Sequence, residues 1–286
     1  MRPFIEKLNI NEANSFYART HSTPEFEVGW HQHSESELIL FKEGYGTAFV
    51  GNYVGEFKKG DIFFIGPDLP HTFQKIHKDL FVSAVVVQFQ ESFWGNRFLA
   101  LPECRFFKDI FEISLRGLRI TGNTKHLLYE AITSLETLNG FARIIRLSEC
   151  LHTITERKEY ELLSCHELKE ANSYCKDRID NVYQYTVEHY AEPISLEKVA
   201  GIAAMTVPAF CAYFKKATRK TYIEFLTDVR VENACKMLVD TDDCINEICY
   251  KSGFNTLTNF NRQFQKVKQS TPSQYRKMFK SGTVLI

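Results

Sequence analysis

Gly253-Phe254-Asn255-Thr256-Leu257-Thr258-Asn259-Phe260-Asn261-Arg262-Gln263-Phe264-Gln265-Lys266 lies near the C-terminus of a 286-residue chain. It reads as a glycine turn, an Asn255 N-cap and a short helix that is apolar on one side only. Phe260 and Phe264 are four apart and so share a face. Thr256, Leu257, Asn259, Asn261, Arg262 and Gln263 fall on the other faces, and none of them is acidic. Hydrogen-bonding and cationic side chains held out by two buried aromatics suit the edges of base pairs. Upstream, Ile245, Ile248 and Cys249 keep helical spacing, and Gly253 follows four residues later. Helix, glycine turn, second helix is the helix-turn-helix pattern, although a surface pair of helices has the same outline.

An earlier copy decides between the two. Phe210, Phe214 and Lys216 match Phe260, Phe264 and Lys266 at an offset of fifty, while Ala200 and Ala204 match Cys249 and Gly253 at forty-nine. Ser195 can cap the helix Leu196 to Ala203, Ala204-Met205-Thr206 makes the turn, and Pro208 sits in the first turn of the next helix. Between the copies, Tyr222, Phe225, Leu226, Val229, Ala234, Met237 and Leu238 describe one long helix that would hold the two units at a fixed separation.

The N-terminal half has another rhythm. Residues 14–94 read as short strands: Phe26, Val28 and Trp30 alternate with polar or small residues, and apolar runs follow at 38–41, 47–50, 62–65 and 81–89. Gly, Asn and Pro separate them at about ten-residue spacing, which predicts an all-β sandwich or barrel. Within it, His31, His33, Glu37 and His71 form a ligand set suited to zinc, iron, nickel or manganese, because residues two apart on a strand point the same way. The same residues suit the polar lining or rim of a metal-free ligand cavity. Three apolar helical patterns follow, through Phe106 to Leu115, Leu127 to Leu138 and Ile144 to Ile154. They are too apolar to stand alone, and the last is a candidate dimerisation face. Residues 158–177 turn polar, and 166–177 read as a linker.

Composition supports two soluble domains, 1–165 and 178–286. The formal net charge is zero, but residues 178–286 hold 15 Lys and Arg against 11 Asp and Glu, and the remainder 20 against 24. Within 244–286 seven basic residues face one acid, Glu247. Such asymmetry points the C-terminal half at a polyanion. The eight cysteines form no CxxC pair, which predicts reduced thiols in a cytoplasmic protein. No signal peptide or membrane span is expected.

Two resemblances now apply. His31, His33, Glu37 and Gly44, with Gly60, Pro67, Pro70 and His71, resemble the two motifs of cupins. The order Gly66-Pro67 and Lys75 depart from the usual pattern. Residues 178–280 resemble the double helix-turn-helix domain of AraC-family transcription regulators, through Leu196, Val199 and Ala200, Arg230, Ala234 and Leu238, Ile245 and Ile248, Gly253-Phe254, and Thr271-Pro272-Ser273 with Tyr275-Arg276. A cupin effector domain is common in that family. Ala204 replaces the usual glycine of the first unit.

The resemblance implies a multidomain α+β chain: a cupin-like effector and dimerisation barrel with packed helices, then an all-α DNA-binding domain. It implies recognition helices in successive major grooves about 34 Å apart. The expected DNA-binding residues are Thr206, Val207, Ala209, Tyr213, Lys215, Lys216, Arg219 and Lys220 in the first unit. In the second they are Asn255, Thr256, Thr258, Asn259, Asn261, Arg262, Gln263 and Lys266. The small outer face of the first helix (Val207, Ala209, Cys211, Ala212) suits a backbone clamp, whereas the second is equipped to read bases. Trp30, His31, His33, Glu37, Tyr45 and His71 are the expected effector-binding residues, and a divalent metal on His31, His33, Glu37 and His71 is the one candidate cofactor. The expected function is a cytoplasmic bacterial activator of transcription, with partners double-stranded DNA, a small-molecule effector such as a sugar, RNA polymerase and a second copy of the chain. The competing class is a metal-dependent cupin enzyme, a dioxygenase or sugar isomerase, with a helical appendage.

Overall fold

The computed structural model describes residues 4–5, 14–23, 29–77, 79–164 and 173–280. The N-terminal strands are β1 (Phe4–Ile5), β2 (Tyr17–Ser22), β3 (His31–Gln32), β4 (Ser36–Glu43), β5 (Tyr45–Val50), β6 (Tyr53–Lys58), β7 (Ile62–Ile65), β8 (His71–Lys75) and β9 (Ser83–Phe89). Then come α1 (Asn96–Leu99), α2 (Arg105–Ser114), β10 (Leu118–Ile120), α3 (Thr124–Ser134), α4 (Gly140–Arg157) and β11 (Tyr160–Leu162). The C-terminal part is helical: α5 (Ser173–His189), α6 (Leu196–Ile202), α7 (Val207–Thr218), α8 (Tyr222–Asp240), α9 (Ile245–Lys251), α10 (Leu257–Lys268) and α11 (Pro272–Lys280).

The strands form two sheets, in the orders β1-β3-β8-β5-β6 and β11-β10-β7-β4-β9-β2. Alternation explains how their nearly continuous apolar runs are used. In the second sheet Leu38, Leu40, Ile62, Phe64, Val85 and Val87 face one way, into a core with α2, α3 and α4. Ile39, Phe41, Phe63, Ile65 and Ala84 face the other way, between the sheets. In the first sheet Ala48, Val50 and Phe57 point inward. Phe49 and Val54 point outward into the core of α5 to α8, and Tyr45 into that of α8 to α11. The chain is therefore four layers deep, and each sheet is covered on both faces. Each fully buried large apolar side chain contributes about 1.5–3 kcal/mol.

Several expectations change here. Strands β10 and β11 fall where the sequence reads as breakers and as the start of a polar stretch; three residues are too few to show alternation, yet Leu118 to Ile120 pair with both β7 and β11. The alternation at Phe26 and Val28, and residues 166–172 of the linker, lie outside the described residues, and α5 already begins at Ser173. Part of the apolar face of α4 is used within the chain: Leu147, Cys150, Leu151 and Ile154 are buried in a core where α4 packs against α2 and α3. Phe141 and Ile145 remain exposed. Cys104, Cys150, Cys235 and Cys249 are buried free thiols. Among the described residues no helix is long and apolar enough to cross a membrane.

Candidate functional site

The two helix-turn-helix units are copies in backbone as well as sequence. After α6, Met205 N–H donates to Ala200 O at 2.9 Å; after α9, Phe254 N–H donates to Cys249 O at 3.0 Å. The turn residue is left-handed in both, Gly253 at φ +87° and Ala204 at φ +50°. Both recognition helices also end alike, with Arg219 and Gln269 left-handed and bonded back to Lys215 O and Gln265 O. Beyond each, a capping residue opens the next helix: Thr221 exchanges hydrogen bonds with Glu224, and Thr271 with Gln274. Phe214 meets Phe225 at 5.9 Å between ring centroids, and Phe264 meets Tyr275 at 5.6 Å.

In α10, Phe260 and Phe264 are fully buried, while Asn255, Thr256, Thr258, Asn261, Arg262 and Lys266 are exposed and Asn259 and Gln263 half-buried. The N-cap is Thr256, whose hydroxyl accepts from Asn259 N–H at 3.3 Å, and not Asn255. Placing the cap one residue later frees Asn255 to face solvent. Arg262 Nη2 donates to Asn259 Oδ1 at 3.0 Å, so two candidate base readers are already oriented together. In α7, Thr206, Ala209, Lys215, Lys216 and Arg219 are exposed, and Val207, Tyr213 and Lys220 half-buried. Lys220 is paired with Asp228 at 2.7 Å. Much of the C-terminal basic charge is spent internally. Lys251 pairs with Asp243, Arg276 donates to Leu238 O and Asp243 O, and Lys268 sits buried between Glu56 and Glu232.

The barrel cluster is also assembled. His31, His33 and His71 bring ring nitrogens within 4.8 Å of one another. Each points Nδ1 at a backbone carbonyl: His31 at Gly29 O (2.8 Å), His33 at Glu35 O (3.0 Å) and His71 at Leu69 O (2.8 Å). His33 Nε2 lies 2.9 Å from Glu37 Oε2, and His71 Nε2 lies 3.4 Å from Glu37 Oε1. Gln88 donates to the same carboxylate. Burial, then the neighbouring His71, lowers the His31 pKa to about 3. Burial alone would lower His33 as well, but the bonded Glu37 raises it to about 9. Against burial, the bond from His33 and the nearness of His71 hold Glu37 well below the usual carboxylate range.

Trp30 and Tyr45 are not part of this cluster. Trp30 packs edge-on against Tyr183 of α5 at 6.4 Å, and Tyr45, on the outer face of β5, lies 5.4 Å from Phe279. Both belong to the junction between the two halves of the chain. Nor is the space between the sheets an empty cup. Phe41 and Phe57 stack at 4.0 Å, and Phe73 lies 5.2 Å from both Phe41 and Phe63. What sequence reasoning missed was Lys268, Glu56 and Glu232, an ion cluster between residues far apart in the chain.

Comparisons with known proteins agree with this architecture. The family model of the AraC-like ligand binding domain matches residues 14–92, and that of a helix-turn-helix domain matches 199–278. The HTH-type transcriptional regulator YdeC of Bacillus subtilis (strain 168) is 32% identical over 262 residues, covering 87% of this chain and 86% of that protein. The HTH-type transcriptional activator RhaS of Mannheimia succiniciproducens is 22% identical over 256 residues, covering 86% and 88%. Among solved structures, ToxT of Vibrio cholerae matches with a TM-score of 0.39 and 13% identity, over 93% of this chain and 98% of that one. With paired helix-turn-helix units behind a two-sheet ligand-binding domain, the chain belongs to the AraC-type helix-turn-helix transcription regulators.

Proposed function

We propose that this regulator reads its operator mainly through α10 and grips the adjacent backbone through α7. The observation that carries this is the division of α10: two buried phenylalanines on one side, and an acid-free row of exposed amides, hydroxyls and Arg262 on the other. Asn255, Thr256, Thr258, Asn259, Asn261, Arg262 and Gln263 supply donors and acceptors for base edges, each good bidentate pair discriminating by about 1–3 kcal/mol. Thr206, Val207, Ala209 and Tyr213 line the contact of α7, while Lys215, Lys216, Arg219, Lys220 and Lys266 supply salt-dependent affinity through phosphates. A gel-shift titration of Arg262→Ala at controlled salt tests the assignment. Operator binding falls about tenfold or more while binding to random DNA changes little; equal losses on both would overturn it.

The output is activation through RNA polymerase, by a cytoplasmic homodimer whose N-terminal domain senses a small molecule, and the chain catalyses no reaction. Supporting this reading is RhaS of Mannheimia succiniciproducens, a transcriptional activator that aligns along most of the chain. The histidine cluster fits a divalent metal. Three imidazoles point Nδ1 at carbonyls, the arrangement that fixes Nε2 for a metal, and the buried His71 Nε2 meets only Glu37 Oε1, at 3.4 Å and without hydrogen-bond geometry. His31, His33, His71 and Glu37 would hold the ion, which would cross-link β3 and the turn after it to β4 and β8. Elemental analysis of chelator-free protein tests it: about one metal per chain supports the site, and metal-free protein that takes up none on reconstitution counts against it.

A further inference from the structure

We propose that the N-terminal domain has an open site for a small organic anion in a cleft beside the edge strands β6 and β11, away from the buried histidines. The cleft measures about 450 Å³ and is lined by Lys58, Arg119, Lys125, His126, Tyr129 and Asp61, among others. That volume suits a small metabolite.

The chemistry follows from three placements. On β10, Leu118 and Ile120 are buried among the helices α2 to α4, so alternation turns Arg119 the opposite way. Its guanidinium lies 5.9 Å from the Phe63 ring and donates to Asp61 Oδ2 at 2.7 Å. Asp61 is fully buried, accepts from the Lys58 backbone N–H at 3.1 Å and from Lys125 Nζ at 2.6 Å, and so orients two cations from behind. Lys59 is spent on Glu43 at 2.6 Å. Arg119, Lys125 and the exposed Lys58 outnumber Asp61 and the rim residue Glu161, and His126 and Tyr129 add further polar groups. A preorganised guanidinium fork flanked by ammonium groups matches carboxylate or phosphate.

A second cleft of about 390 Å³ shares Lys58 and Arg119 with the first, and its other lining residues include Glu56, Glu232 and Lys268. The two cations therefore stand between the anion site and the ion cluster that joins barrel to recognition helix. An anion drawing on Lys58 and Arg119 changes the field at Glu56, which is how occupancy reaches the DNA-binding half. This site deepens the effector reading above and rests on the N-terminal domain being the sensing half.

The test is isothermal titration of the full chain, without DNA, with glucose 6-phosphate, citrate, inorganic phosphate and glucose. Saturable binding of at least one anion is expected, with none by glucose; phosphate alone or citrate alone identifies the headgroup. In Lys58→Ala/His126→Ala, both exposed positions, affinity falls about tenfold with the urea midpoint unchanged. Absence of saturable anion binding, or equal binding by the double variant, overturns the proposal. Because no DNA is present, this failure is distinct from failure of the operator assignment.

Discussion

Lys268 Nζ, at the end of the second recognition helix, lies 2.7 Å from Glu56 Oε1 on barrel strand β6 and 2.7 Å from Glu232 Oε1 on α8. Lys268 and Glu232 are almost wholly buried, whereas the Glu56 side chain is 39% exposed. The two arms of this cluster therefore differ in worth. Lys268→Met leaves the Glu232 carboxylate buried without its cation and is expected to destabilise by about 3 kcal/mol or more. Glu56→Gln removes only the half-exposed partner and costs about 1 kcal/mol or less. Urea unfolding of the two variants checks this; similar losses would mean that the cluster is not graded by burial.

The same pair sets a pH dependence. Burial would raise the Glu56 pKa, but Lys268 outweighs it and holds the group below its ordinary 4.5. A depressed carboxylate stabilises the fold above its unfolded value and loses that contribution as pH falls through the folded one. The stability gap between wild type and Glu56→Gln is thus full above pH 4.5 and closes on further acidification. A gap that widened in acid would contradict the ion pair.

Gly253 is the tightest point of the second turn. At φ +87°, an added Cβ would lie 2.5 Å from Tyr190 O and 2.7 Å from Arg230 Nε. Arg230 donates to that carbonyl at 2.8 Å and to Glu192 O at 2.9 Å, tying α8 to the end of α5. Gly253→Ala therefore meets both backbone strain and the displaced Arg230, and about 2–4 kcal/mol of destabilisation is expected. Thermal unfolding and DNA binding should both report it.

The first turn makes the opposite prediction. Ala204 holds the equivalent conformation at φ +50°, where a Cβ is unfavourable by about 1 kcal/mol, and it is exposed. Ala204→Gly is expected to stabilise by about 0.5–1 kcal/mol in urea titration, with operator affinity retained. Destabilisation would show that the methyl group makes contacts that outweigh the strain.

The helix-turn-helix pair was legible because its signals are local. Helical spacing of Phe210, Phe214, Phe260 and Phe264, the turn residues Ala204 and Gly253, and the offset of fifty all lie within short windows, and the folded backbone reproduces each of them. The clustering of His31, His33, Glu37 and His71 was legible too, since their spacing matches a known pattern.

Other features needed the folded chain. A strand shows by alternation that it has two faces, but not what covers each. Alternation on β5 cannot show that Tyr45 lies on the face turned toward α11 and away from the histidine cluster. The apolar stripe of α4 shows that a partner exists, and only packing reveals that α2 and α3 cover Leu147, Cys150, Leu151 and Ile154. Strands β10 and β11 are too short to carry a period; β10 forms because β7 offers it an edge, and β11 forms on the edge that β10 then presents. Lys268 and Glu56 stand 212 residues apart, and a lysine in a basic helix looks like any phosphate contact until a carboxylate from the barrel is found beside it. Short-range periodicity thus determined the paired helix-turn-helix units and the strand-rich half before them, while tertiary structure decided how the two halves are joined and where Arg119, Lys125 and Lys58 meet, because those contacts depend on which layers pack together.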